Sequence, residues 1–371
     1  MYLATLITLI VQGCNMGSRM IATLFAIELG ANPFTVGLLI SAYSVLPLLL
    51  SVYSGRVSDR FGARYPMLAG AIASAAGTLL PALAPGLATL FVSAVLVGTG
   101  FIFFNVSVQN LAGGLGPPEQ RTRNFSTLAL GYASGHLVGP LIAGFSIDHF
   151  GHPAAYAWFT VLGVVPIVIL AWNRRFNTPA RASVEHHRTL DLLRVPALRR
   201  VIIVSGLVST GWDLYMFYVP IYGHGIGLSA TTIGAILGAF AIATFILRIV
   251  LPALTRRFGL ERVLATALAA SAVMFVPFPF IEFVPALLVL SFAMGLAMGC
   301  GQPLTLNIAY NRAPPGRYGE VAGLRLTVNN ITHLGLPVVA GAMGAFFGAV
   351  TVFWIAAGIL AACSHLVRKA G

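Results

Sequence analysis

The sequence predicts an all-α membrane protein of twelve transmembrane helices, arranged as two pseudo-symmetric six-helix bundles. Three observations carry that prediction. Apolar runs of about 20 residues, each long enough to cross roughly 30 Å of hydrocarbon as a helix, recur along the whole chain. The basic residues gather in every second connection between those runs. Motifs of the first half return in the second at a constant offset of 197 residues.

The composition agrees. With 58% hydrophobic and only 9% charged residues among 371, and with 40 Gly and 21 Pro, the chain lies outside the range of a soluble domain. Strands of about ten residues with alternating polarity are absent, which argues against a barrel. The expected spans are 3–29, 34–55, 66–84, 87–112, 122–148 and 154–173, then 199–223, 229–252, 262–281, 284–311, 319–345 and 347–367. Domains 1–173 and 200–371 thus hold six spans each in the same orientation, a parallel repeat. A polar, basic, Pro-interrupted linker, 174–199, joins them.

Taken in order, the elements carry their own marks. Span 1 begins almost at Met1, has no basic segment ahead of it and is too long for a cleaved signal peptide. Within it, Arg19 sits about ten residues, roughly 15 Å, from the outer end, beyond comfortable snorkelling, so it is expected to face an aqueous cavity or a partner. Span 2 closes on GRVSDRFGAR at 55–64, a charged turn in a nearly uncharged chain, and PALTRRFGLE at 252–261 repeats it after span 8. Asn105 and Asn110 in span 4 align with Gln302 and Asn307 in span 10. His136 in span 5 aligns with His333 in span 11, GPLIAG at 139–144 with LPVVAG at 336–341, and Pro117-Pro118 with Pro314-Pro315. Asp213 lies in the middle of span 7, and the repeat equivalent of Arg19 is Met216, one turn from it on the same face. Arg248, near the inner end of span 8, is expected to snorkel. A Gly-Ala-rich junction at 341–348 separates spans 11 and 12.

Of the 22 Lys and Arg residues, all but Arg19 and Arg248 fall in or beside the connections after spans 2, 4, 6, 8 and 10, or at the C-terminal Arg368 and Lys369. This asymmetry predicts cytoplasmic termini. It also assigns the net charge of +12 to topology and membrane lipid rather than to a nucleic acid. The sole lysine, Lys369, leaves no Walker A lysine, and no HExxH or GxSxG is present, so ATP-driven pumping and hydrolytic enzymes are disfavoured. Cys14, Cys300 and Cys363 lie inside spans at unrelated spacings, and the EHH of the linker reads as a solvated run. No metal or cofactor is expected.

GRVSDRFGAR resembles the signature of the major facilitator superfamily between helices 2 and 3, and GHLVGPLIAG in span 5 is similar to the Gly-Pro motif of that superfamily's twelve-helix drug:proton antiporters. The departures are Ala63, where the family often has a basic residue, and SAVLVGTG at 93–100, which lacks the antiporters' arginine. The resemblance implies a secondary transporter working by alternating access. It implies a conformational latch formed by Gly55, Asp59, Arg60, Gly62 and Arg64, and a hinge against helix 8 formed by Gly135, Gly139, Pro140 and Gly144. It also implies that spans 1, 4, 7 and 10 line a central cavity.

On that cavity the sequence offers Arg19, Asp213, Asn105, Gln302 and Asn330, the equivalent histidines His136 and His333, and the aromatic residues Trp212 and Tyr215. Arg19 and Asp213 are expected to pair, or to exchange partners with substrate and proton. The expected partners are a small organic substrate, protons and lipid, with the chain working as a monomer in a bacterial inner membrane. Proton-coupled export is the leading reading. Uptake or facilitated diffusion of an organic anion received by Arg19, and a transport-inactive sensor or scaffold, are the alternatives.

Overall fold

A computed structural model describes residues 1–115, 120–173, 176, 189–313 and 318–368, with the side chains at 52, 59, 121–122, 189–190, 318–320 and 322–323 outside the description. Every regular element among the described residues is helical. The first half contains α1 (Tyr2–Glu28), α2 (Pro33–Phe61), α3 (Arg64–Leu83), α4 (Leu87–Gly114) and a continuous run, Arg121–Trp172, that breaks at Gly151 into α5 (121–150) and α6 (152–172). The second contains α7 (Pro196–Gly225), α8 (Ala230–Phe258), α9 (Leu260–Phe275), α10 (Val284–Asn311, in two segments), α11 (Tyr318–Phe347) and α12 (Ala349–Arg368).

Ten of the described stretches are long and apolar enough to cross a bilayer, and the 50-residue one, Arg123–Trp172, contains two of these helices. Helix α1, whose apolarity Gln12, Asn15 and Arg19 lower, completes the twelve. The chain is an integral membrane protein. The expected linker and both proline pairs fall largely outside the described residues; the linker's described end is a short 3-10 turn, Thr189–Arg194.

The repeat is written into the backbone. The six glycines with positive φ among the described residues form three pairs at the same 197-residue offset. They are Gly30 (83°) with Gly227 (79°), Gly62 (77°) with Gly259 (82°), and Gly151 (78°) with Gly348 (80°). Each lies at a helix end, where a side chain would strain the turn. Pro140 and Pro337 also correspond, each inside its helix.

Two compact units result, Met1–Val184 with Gly227–Gly238, and Glu185–Ile226 with Ala239–Gly371. The first centres on apolar contacts of Ile7, Val11, Met67, Phe104, Leu111 and Leu128. Helix α1 packs closely on α5, because Gly131, Gly135 and Gly139 recur every fourth residue. A Cβ on each would overlap the carbonyl of Thr5, Leu9 or Gly13 respectively, so the two backbones touch. The second unit is filled by aromatic rings: Tyr215 stacks on Phe240 at 4.4 Å, and Phe278 on Phe353 at 5.0 Å.

Candidate functional site

Each half places one polar cluster at equivalent positions. In the first, His136 of α5 donates from Nδ1 to the Tyr132 carbonyl at 2.8 Å, which leaves its Nε2 to accept from Gln12 Nε2 of α1 at 3.3 Å. The Tyr132 hydroxyl donates to Asn105 Oδ1 of α4, which also accepts from Gln109 Nε2 at 2.9 Å. Gln12, Asn105, Gln109 and Tyr132 of this cluster carry no fixed charge, and His136 is hydrogen-bonded within it.

In the second, Gln302 of α10 is the hub. Its Nε2 donates to Ser209 Oγ at 2.7 Å, and its Oε1 accepts from Arg325 Nη1 at 2.7 Å and Asn329 Nδ2 at 3.2 Å. Arg325 also donates to Ser205 Oγ at 3.2 Å, and Ser205 donates to Asn329 Oδ1 at 3.2 Å. Beside this network Asp213 of α7 is paired with His333 Nδ1 of α11. The Asp213 side chain is 15% exposed and that of His333 34%, so the pair is partly desolvated without being sealed.

The 197-residue offset superposes the contacts as well as the residues. Asn105 meets Tyr132 as Gln302 meets Asn329, and each histidine is held from the helix that opens its half. The difference lies in charge: Met16 and Leu128 stand where the second half has Asp213 and Arg325.

Other expected residues fall as follows. Arg19 is half-buried with its guanidinium 5.0 Å from the Tyr43 ring centroid, a cation–π contact inside the first unit. Trp212 is half-buried, edge-on to Phe240, and Asn330 is half-buried. Tyr215 requires correction: it is fully buried against Phe240 and Phe278, so it packs the second unit rather than lining a cavity. Arg248 is exposed, and the three cysteines are buried and free.

The hinge residues divide between two faces. Gly135 and Gly139 pack on α1, not on α8, whereas Pro140 and Gly144 meet the first turns of α8: a Cβ on Gly144 would overlap the Ala230 carbonyl, and one on Gly234 the Pro140 carbonyl. Asp148, which sequence reading did not single out, ends this face. Its carboxylate accepts from the Ala230 and Thr231 amides at 2.9 and 2.7 Å, a cap on the α8 N-terminus supplied by another helix.

In the latch motif, Asp59 lies outside the described side chains. Gly55 is half-buried, Gly62 caps α2 with its positive φ, and Arg60 is exposed over Phe61. Arg64 donates from Nε to the Leu170 carbonyl at 2.8 Å and from a second nitrogen to Ala171, so it caps the C-terminus of α6. In the repeat of this motif, Glu261 accepts from Arg312 at 2.7 Å.

Arg325 is the main residue that sequence reasoning missed. It was grouped with the basic connection after span 10, yet it stands seven residues, about 10 Å, inside α11 and is 7% exposed. Insertion scales put a charge at such a depth at about 3 kcal/mol, so it needs a compensating role. The signal was its distance from Tyr318, one turn too far for the connection.

The sequence profile of the Major Facilitator Superfamily matches residues 4–332 and, in a second match, 201–369. Over 334 residues the chain is 26% identical to the multidrug resistance protein MdtG of Citrobacter koseri, covering 87% of this chain and 82% of that protein. Over 326 residues it is 23% identical to the quinolone resistance protein NorA of Staphylococcus aureus, covering 85% and 82%. In fold it is similar to the crystal structure of the peptide transporter POT in complex with sulfate, with a TM-score of 0.83 at 15% identity over 99% of this chain and 93% of that one. The nucleoside transporter NupG superposes with a TM-score of 0.79 at 14% identity, over 100% and 98%.

Proposed function

The chain belongs to the Major Facilitator Superfamily and is a membrane transporter, and on that premise we propose that it exports small organic molecules by alternating access, driven by protons. The observation that carries this reading is the hydrogen-bonded Asp213–His333 pair inside membrane-spanning helices. A carboxylate hydrogen-bonded to an imidazole inside membrane-spanning helices is a place where a transported proton can bind. With His333 neutral the pair carries one negative charge, and one added proton removes it. Two packings of the bundles that differ in how they solvate that pair therefore differ in proton affinity, which is the linkage a coupled transporter needs.

Export is supported by the resistance functions printed for MdtG and NorA. One proton charge moved across about 100 mV is worth ~2.3 kcal/mol, enough for roughly fiftyfold expulsion without ATP. In this reading Arg19 is a second candidate for substrate contact, 55–64 serves as the latch at the basic, cytoplasmic ends of the helices, and Pro140 with Gly144 is the hinge on α8. The protein acts as a monomer in a bacterial inner membrane.

The test uses proteoliposomes holding a trapped pH-sensitive dye, with a fluoroquinolone as the substrate. Wild type should couple quinolone movement to proton movement. Asp213→Asn should abolish the proton signal while preserving quinolone exchange in the absence of a gradient. Absence of any quinolone-dependent proton movement in wild type, or full coupling in the variant, contradicts the proposal.

A further inference from the structure

We propose that Arg325 is the receptor for an anionic group on the transported molecule, a carboxylate or a phosphonate. This deepens the transporter reading and rests on it. The chain contains ten acidic residues, and none whose side chain is described meets Arg325. Asp213 is held by His333 and Glu261 by Arg312.

Among the described residues Arg325 donates to neutral oxygens, Gln302 Oε1 at 2.7 Å and Ser205 Oγ at 3.2 Å, and lies within electrostatic reach of the Tyr310 phenol, while its Nε is buried with no acceptor. A guanidinium offers five donors in a planar fork that fits an oxyanion, and no carboxylate among the described side chains answers its charge. The neutral ring of Gln302, Ser205 and Asn329 fixes the fork without neutralising it. Gln302 is itself half-buried, so the cluster is open on its side. A buried cation held by neutral groups at the edge of a polar cluster is the arrangement that favours an incoming anion and rejects its uncharged analogue, because the analogue leaves the buried charge unanswered.

The experiment compares binding of three probes of one shape to the purified full chain in detergent: 2-naphthoate, 2-naphthylphosphonate and neutral 2-naphthamide, followed by quenching of tryptophan fluorescence. Wild type should bind both anions about tenfold more tightly than the amide. Arg325→Gln should bring the three within about twofold, with amide binding unchanged. Should Arg325→Gln fail to give monodisperse protein, Arg325→Lys decides, since it keeps the charge and loses the fork: the preference for the anions should fall several-fold. An amide bound as tightly as the anions by wild type, no anion binding at all, or an undiminished anion preference in the variants overturns the proposal. Asp213→Asn should keep the anion preference. Loss of proton coupling and loss of anion selection therefore fail separately.

Discussion

Helices α5 and α11 occupy the same place in the repeat and do different work. On α5 the face towards α1 reads Gly131, Gly135, Gly139, and the backbones touch. On α11 the same positions are Val328, Thr332 and Leu336, and it is Gly206 of α7 that admits Val328. Side chains now separate α7 from α11, and the neighbouring residues differ accordingly: Leu128, Tyr132 and His136 in one half, Arg325, Asn329 and His333 in the other. The same backbone repeat thus yields a close-packed helix pair in the first half, with Gln12, Tyr132 and His136 as its polar contacts. In the second it yields a pair spaced by side chains, between which a carboxylate, an imidazole and a guanidinium sit.

The largest test of this contrast is steric. Gly139→Leu should prevent accumulation of monodisperse protein, because its side chain would displace the Gly13 backbone at a cost of about 3 kcal/mol or more. Leu336→Gly at the equivalent place should only lower Tm. Size-exclusion profiles and thermal melts of the two variants measure it, and equal damage from both would erase the distinction.

Next comes charge. Leu128 is 2% exposed in the apolar centre of the first unit, so Leu128→Arg should destabilise by about 3 kcal/mol or more. The equivalents of Gln302, Ser205 and Asn329 there are Asn105, Thr8 and Tyr132, which are already bonded to one another or to their own helix. The reciprocal Arg325→Leu should be milder, about 1–2 kcal/mol, through oxygens left without a donor.

The histidines give a finer contrast. His136→Gln should cost about 1 kcal/mol in stability and leave proton movement intact, whereas His333→Gln should impair coupling at similar stability. Dye-based proton flux beside a melt separates the two outcomes. Smallest is Asp148→Asn: an amide oxygen still caps α8, but the loss of its charge should lower stability by about 0.5–1 kcal/mol, measurable as a Tm shift that shrinks with added salt.

Much of this architecture was legible because membrane insertion leaves few options. Runs of sufficient length, the 197-residue offset and the glycines near the turns all point to two six-helix bundles, and the paired positive-φ glycines give the same offset as the motifs. The residues of the site were less legible. His333 and Asp213 were both visible as polar groups in spans, yet sequence spacing within one helix cannot tell which helix turns towards which, so their contact came from the fold. Tyr215 looked like a cavity aromatic because hydropathy does not distinguish a ring facing a pocket from one packed on Phe240. Arg325 was hard to read because a single arginine within the first two turns of a span looks like part of the basic connection beside it.

The central claim is that the second half's polar cluster carries the coupling while its first-half counterpart is structural. Quinolone-dependent proton flux into dye-loaded proteoliposomes, compared between Asp213→Asn and Gln12→Leu, addresses it most directly. Asp213→Asn should lose the proton signal and keep quinolone exchange, whereas Gln12→Leu should couple like wild type. Coupling retained in Asp213→Asn and lost in Gln12→Leu would contradict that claim.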